Sequence, residues 1–136
     1  MGQAAYMDTD NLATLIPFAG TLGIDVVEVT PQRVTATMDW AEDRCTTGGI
    51  LHGGALMAFA DTIGALCAVA NLPPGAGTAT IESKTNLFRA VRAGTVTAIC
   101  EPLHVGRTTI VAQTNLTDDS GKLVAQVTQT QAVLTR

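Results

Sequence analysis

Asp61 is the only charged residue in the run 55–70, which is otherwise apolar on every side. Taking a carboxylate out of water is costly unless a partner compensates it or chemistry retains it, and carboxylates so placed gather at active sites. A structural Asp, hydrogen-bonded to nearby backbone or to Thr62, is the plainer reading, and we weigh the chemical role above it. Upstream in the same run, His52-Gly53-Gly54 opens what reads as a helix. Unobstructed backbone N–H groups at the positive end of a helix dipole suit a carbonyl oxygen acquiring negative charge, so Gly53 and Gly54 form a candidate oxyanion hole. Taken alone, paired glycines do no more than permit a tight turn or close packing.

Helix geometry connects the two features. Gly53 and Asp61 on one helix lie about 12 Å apart along its axis, too far to act on a single carbon atom. Two such helices lying antiparallel across a two-fold axis would set Asp61 of one subunit against Gly53 of the partner subunit, giving two equivalent sites per dimer. Self-association then becomes a requirement of the chemistry.

The elements that must position these groups follow from the hydrophobic pattern. A short helix is expected over 10–18, capped by Asp8, Thr9 or Asp10 and ending near Gly20 and Gly23. The β-branched segments 24–29 and 34–40 flank Thr30-Pro31-Gln32-Arg33 and read as a hairpin. Residues 41–51 read as a loop, and 55–70 as a helix that other structure must enclose. Asn71-Leu72-Pro73-Pro74-Gly75 ends it, and strands follow at 78–88, 95–103, 108–117 and 123–134, the last two joined by the turn Asp118-Asp119-Ser120-Gly121. With short connections, consecutive strands should pair antiparallel, forming one sheet curved around the apolar helix. That is an α+β domain spanning 1–136, with 1–20 as an N-terminal helical segment; periodicity alone leaves other α+β folds open.

Composition narrows the function classes. A chain of 136 residues accommodates one domain and one site. Hydrophobic residues make up 46% and charged residues 15%, lean enough in charge to suggest that self-association hides some surface. The net charge of −4 and only eight Lys and Arg argue against a nucleic-acid partner. Cys45, Cys67 and Cys100 lack CxxC spacing, and with two distant histidines they indicate neither a disulfide framework nor a metal site. The start of the chain lacks a basic stretch leading into an apolar run, and Tyr6 does not suit a myristoylation signal. The run 55–70 is shorter than the roughly 20 residues that span a bilayer. A cytoplasmic protein with reduced thiols and no membrane partner is expected.

The segment from Gly49 through His52-Gly53-Gly54 to Asp61 resembles the HGG…D signature of hotdog-fold acyl-CoA thioesterases, particularly the phenylacetic-acid-pathway and 4-hydroxybenzoyl-CoA thioesterases. Asn86-Leu87-Phe88-Arg89-Ala90, Gly94-Thr95-Val96, His104-Val105-Gly106-Arg107-Thr108 and the stretch from Asp119 through Gly121-Lys122 to Ala125 sit where that family places similar stretches. The resemblance covers the chain from about Phe18 onward, and several motifs in order are far more specific than HGG alone.

This resemblance implies the hotdog fold and hydrolysis of an acyl-CoA thioester. Asp61 would be nucleophile or general base, and the Gly53 N–H of the partner subunit would polarise the carbonyl. It gives His52 a supporting hydrogen-bonding role. Thr46 stands where relatives often carry Asn or Gln, a departure that leaves a hydroxyl with less reach. Thr78 or Thr80 would supply the hydroxyl that relatives use on the strand after the helix. Arg89, Arg92 and Arg107 are candidates for the coenzyme phosphates, since guanidinium groups bind phosphate bidentately. Coenzyme A enters as part of the substrate, so no separate cofactor is implied, and a dimer or tetramer is. Aromatic, short-chain and medium-chain acyl groups all fit.

Other readings are weaker. GxSxG is absent, which disfavours a serine hydrolase, and the Asp/His arrangement of hotdog dehydratases and hydratases is not found. An acyl-CoA-binding protein without turnover is the competing non-enzymatic class; retention of Asp61 favours chemistry.

Overall fold

The computed structural model describes residues 7–135. The Met1-Gly2 start and Tyr6, on which the readings of the N-terminus bear, lie outside the described residues. Helix α1 (Thr9–Leu15) is capped by Asp8, whose Oδ1 accepts the Asn11 N–H at 2.8 Å. The single helix expected over 10–18 is divided at Ile16, which leaves the helical region at φ −124, ψ 88. Proline disfavours helical backbone in the residue before it yet suits the first position of a helix, so Pro17 ends one element and starts α2 (Pro17–Leu22).

Strands β1 (Ile24–Val29) and β2 (Val34–Asp39) form the expected hairpin. Two short 3-10 turns then lead to α3 (Gly53–Val69), followed by β3 (Gly77–Leu87), β4 (Thr95–Val105), β5 (Thr109–Thr117) and β6 (Leu123–Leu134). The six strands form one antiparallel sheet in the order β1-β2-β4-β5-β6-β3. Pairing of consecutive strands holds for β1–β2, β4–β5 and β5–β6 and fails for β3. Helix α3 carries the chain across the sheet, so β3 joins the far edge beside β6 while β4 pairs with β2.

Alternation on β4 points Val96, Ala98 and Cys100 inward, where they are buried with Phe59, Ile63 and Cys67 of α3. A curved sheet packed on one long helix is the hotdog arrangement. The helix is not enclosed on every side, however. Gly54, Met57 and Asp61, spaced three and four residues apart, form a bare stripe along α3. Asp61, expected to be shut away from water, is exposed in the single chain. Strand β3 beside it is exposed along almost its whole length, with Ile81 at 59% and the following Phe88 at 58%. Its outer edge pairs with no strand among the described residues.

Candidate functional site

The first turn of α3 shows why histidine precedes the glycines. His52 is the N-cap, and its Nδ1 accepts the Gly54 N–H at 2.7 Å. That bond requires Nδ1 to be unprotonated, so a neutral ring carries its proton on Nε2. The Gly53 N–H, as the first of the helix, has no intrahelical partner. A Cβ on Gly53 would come within 2.9 Å of Leu87 Cδ1, so glycine lets the end of β3 approach the helix start. A cleft of about 320 Å³ opens there, lined by Thr46, Gly53, Leu56, Leu87, Phe88 and Arg89. The structure thus brings together Thr46, Gly53 and Arg89. A second cleft of about 400 Å³ lies on the other flank of the turn, against His52, Gly54, Arg44 and Phe18.

Two turns along the helix, Asp61 Oδ1 lies 3.5 Å from the Thr80 hydroxyl on β3. A bulge between Thr80 and Glu82 displaces the strand opposite Gln131 and Thr130. Thr78 turns instead to the Ala132 carbonyl, to which its hydroxyl donates at 2.8 Å. Behind Thr80, Gln129 and Gln131 of β6 are both fully buried polar side chains. Thr80 donates to Gln131 Oε1 at 2.6 Å, and Gln129 Nε2 donates to Gln131 Oε1 at 3.0 Å and to the Asp61 carbonyl at 3.3 Å. These glutamines escaped sequence reasoning, although a signal existed: they continue the inward parity that Val127 sets on β6.

The arginines divide. Arg89 borders the cleft and Arg92 is exposed in the segment before β4. Arg107 is exposed in the β4–β5 turn, separated from both by the length of β4, roughly 30 Å at strand rise. One chain does not gather all three. Among the described residues no group of three or more His, Cys, Asp or Glu is placed to hold a metal ion, and no helix is long and apolar enough to cross a membrane.

Residues 48–125, from the 3-10 turn before His52 through the first residues of β6, match the model of the thioesterase superfamily. The chain is 38% identical to ComA2 of Bacillus subtilis over 115 residues, covering 83% of this chain and 90% of that protein. It is 31% identical to the proofreading thioesterase EntH of Cronobacter turicensis over 101 residues, covering 74% of each. Identity to the 1,4-dihydroxy-2-naphthoyl-CoA hydrolase of Listeria monocytogenes is 29%, covering 76% of this chain and 85% of that one. The crystal structure of the thioesterase HI1161 from Haemophilus influenzae superposes with a TM-score of 0.87 at 29% identity, covering 98% of this chain and 95% of that chain. The six-stranded sheet curved over one long helix is therefore that of a hotdog protein, and the chain belongs to the thioesterase superfamily.

Proposed function

We propose that the protein hydrolyses acyl-CoA thioesters at sites shared between two copies of the chain, with Asp61 of one copy acting on a carbonyl held by the Gly53 N–H of the partner subunit. The observation that carries this reading is the open flank on which both groups stand. Asp61 and the free N–H of Gly53 sit on one helix, about 12 Å apart by helix rise, beside an edge strand whose outer side pairs with no strand among the described residues. A second copy laid antiparallel would cover Met57 and Ile81, desolvate Asp61 and bring the two groups face to face. The Listeria monocytogenes hydrolase named above acts on a CoA thioester by its name, which supports the substrate class.

In the nucleophilic route Asp61 attacks the carbonyl carbon, the C–S bond breaks, and the leaving thiolate takes a proton to become coenzyme A. Water then cleaves the mixed anhydride to the free acid and restores the carboxylate. In the general-base route Asp61 takes a proton from the attacking water, and acid and thiol leave in the same stoichiometry. Both routes place negative charge on the carbonyl oxygen, where a preorganised N–H is worth most. Arg89, which lines the cleft, would meet a phosphate of the coenzyme, and the cytoplasm would supply acyl-CoA.

The test is release of free thiol from a panel of aromatic and straight-chain acyl-CoAs, beside Asp61→Asn. Turnover that collapses in the variant supports the reading. Tight acyl-CoA binding without thiol release would instead make this a binding protein.

A further inference from the structure

The side chains behind Asp61 form a hydrogen-bonded chain whose direction is fixed from one end. The Thr78 hydroxyl gives its single proton to the Ala132 carbonyl at 2.8 Å, so towards Gln131 it can only accept. Gln131 must therefore turn Nε2 to Thr78, at 3.1 Å, and Oε1 to Thr80. Gln129 is oriented in turn, because its Nε2 faces two acceptors, Gln131 Oε1 and the Asp61 carbonyl. This polarity leaves the buried Gln129 Oε1 with no hydrogen-bond partner among the described residues. A buried acceptor left unpaired is costly, so the surrounding bonds hold the orientation against a penalty.

The consequence falls on Thr80. Its hydroxyl has one proton and two acceptors in reach, Gln131 Oε1 at 2.6 Å and Asp61 Oδ1 at 3.5 Å. The shorter contact is a full hydrogen bond and the longer is at the outer limit, so the proton goes to Gln131. Resting on the reading of Asp61 as the reactive carboxylate, we infer that Gln131, oriented by Thr78 and Gln129, is a positioning residue that draws the Thr80 proton away from Asp61 and leaves the carboxylate undamped for attack or proton abstraction. Without the Gln131 carbonyl, Thr80 would turn its proton to Asp61 in a charge-assisted bond, lowering the electron density available for chemistry.

The experiment compares Gln131→Met in the wild-type and Thr80→Val backgrounds, with folding and oligomeric state checked. In the wild-type background kcat should fall on the order of tenfold or more, the size of one charge-assisted hydrogen bond, with KM little changed. In the Thr80→Val background the same substitution should leave kcat within about twofold, because no hydroxyl remains to turn. Gln131→Glu, whose neutral carboxyl can donate to Thr78 and accept from Thr80, should recover most of the loss. An equal loss in both backgrounds would reduce Gln131 to a packing residue, and no loss in either would overturn the inference while leaving thioester hydrolysis intact. Crystal structures of the wild type and Gln131→Met decide the point without turnover: the Thr80–Asp61 oxygen separation should close from 3.5 Å to about 2.7 Å in the variant. An unchanged separation contradicts the inference even if no thioester is cleaved.

Discussion

Gly64 and Gln129 occupy one shared volume: a Cβ on Gly64 of α3 would overlap the side-chain amide of Gln129 on β6. Glycine in a helix interior is ordinarily unfavourable relative to alanine by roughly 0.5–1 kcal/mol. Here that cost secures the place of a buried amide that also bonds the Asp61 carbonyl. Gly64→Ala should therefore destabilise, by about 1–3 kcal/mol in denaturant unfolding, since overpacking outweighs the gain in helix propensity. A Gly64→Ala protein more stable than wild type would show that Gln129 moves aside freely.

The open stripe on α3 and the bare edge of β3 predict self-association. Ile81→Lys and Met57→Glu place charges on a face that a second copy would bury, where an unpaired charge costs several kcal/mol. Each should yield a folded monomer by analytical ultracentrifugation, with thioesterase activity lost in parallel. A fully active monomer would remove the need for a shared site.

Much of this was legible in the sequence, and its gaps have physical causes. The apolar run marked α3, and Asp61 stood out as its one charge. The pattern could not show that Asp61 lies open in the single chain, because an apolar face covered by the same chain and one left for a second copy read alike. The division at Ile16-Pro17 was available from proline chemistry alone. The passage of β3 to the far sheet edge was not, since the crossover by α3 depends on packing rather than local pattern. Gln129 and Gln131 escaped notice because glutamine in a strand reads as solvent-facing, whereas parity with Val127 places both inside.

The cysteines give a chemical test of the core. Cys67 on α3 lies against Cys100 on β4, and interaction with that thiol, together with burial, pushes the Cys67 thiol well above its ordinary range. Cys45, half-buried beside the loop before α3, is unlike them. Alkylation of the native protein should modify Cys45 first, leaving Cys67 and Cys100 protected until unfolding. Mass mapping of labelled peptides checks this, and early labelling of Cys67 would contradict the packing described.

Acid should loosen the β5–β6 turn. The Ser120 hydroxyl, then the Lys122 N–H, hold the Asp118 carboxyl below its ordinary value. A depressed carboxyl contributes stability that is present above its unfolded value of about 3.9 and is lost as pH falls through the folded one. Asp118→Asn should lower Tm slightly at pH 7, with the difference from wild type shrinking below about pH 4. Differential scanning calorimetry across pH checks it; a gap that widens on acidification has the wrong sign.

The shared site itself is tested by mixing two inactive variants. Asp61→Asn removes the carboxylate, and Gly53→Pro removes the N–H at a first helical position that proline suits, with His52 already extended at φ −62, ψ 134 and the exposed tip of Leu87, which the proline Cβ would meet, free to turn aside. Each variant alone should lose about a hundredfold or more in kcat. Unfolded together and refolded at equal concentration, they should regain about a quarter of wild-type turnover, since half of the dimers would be mixed and each of those keeps one intact site of two. A mixture as inactive as its components would mean that Asp61 and Gly53 do not meet across a subunit boundary.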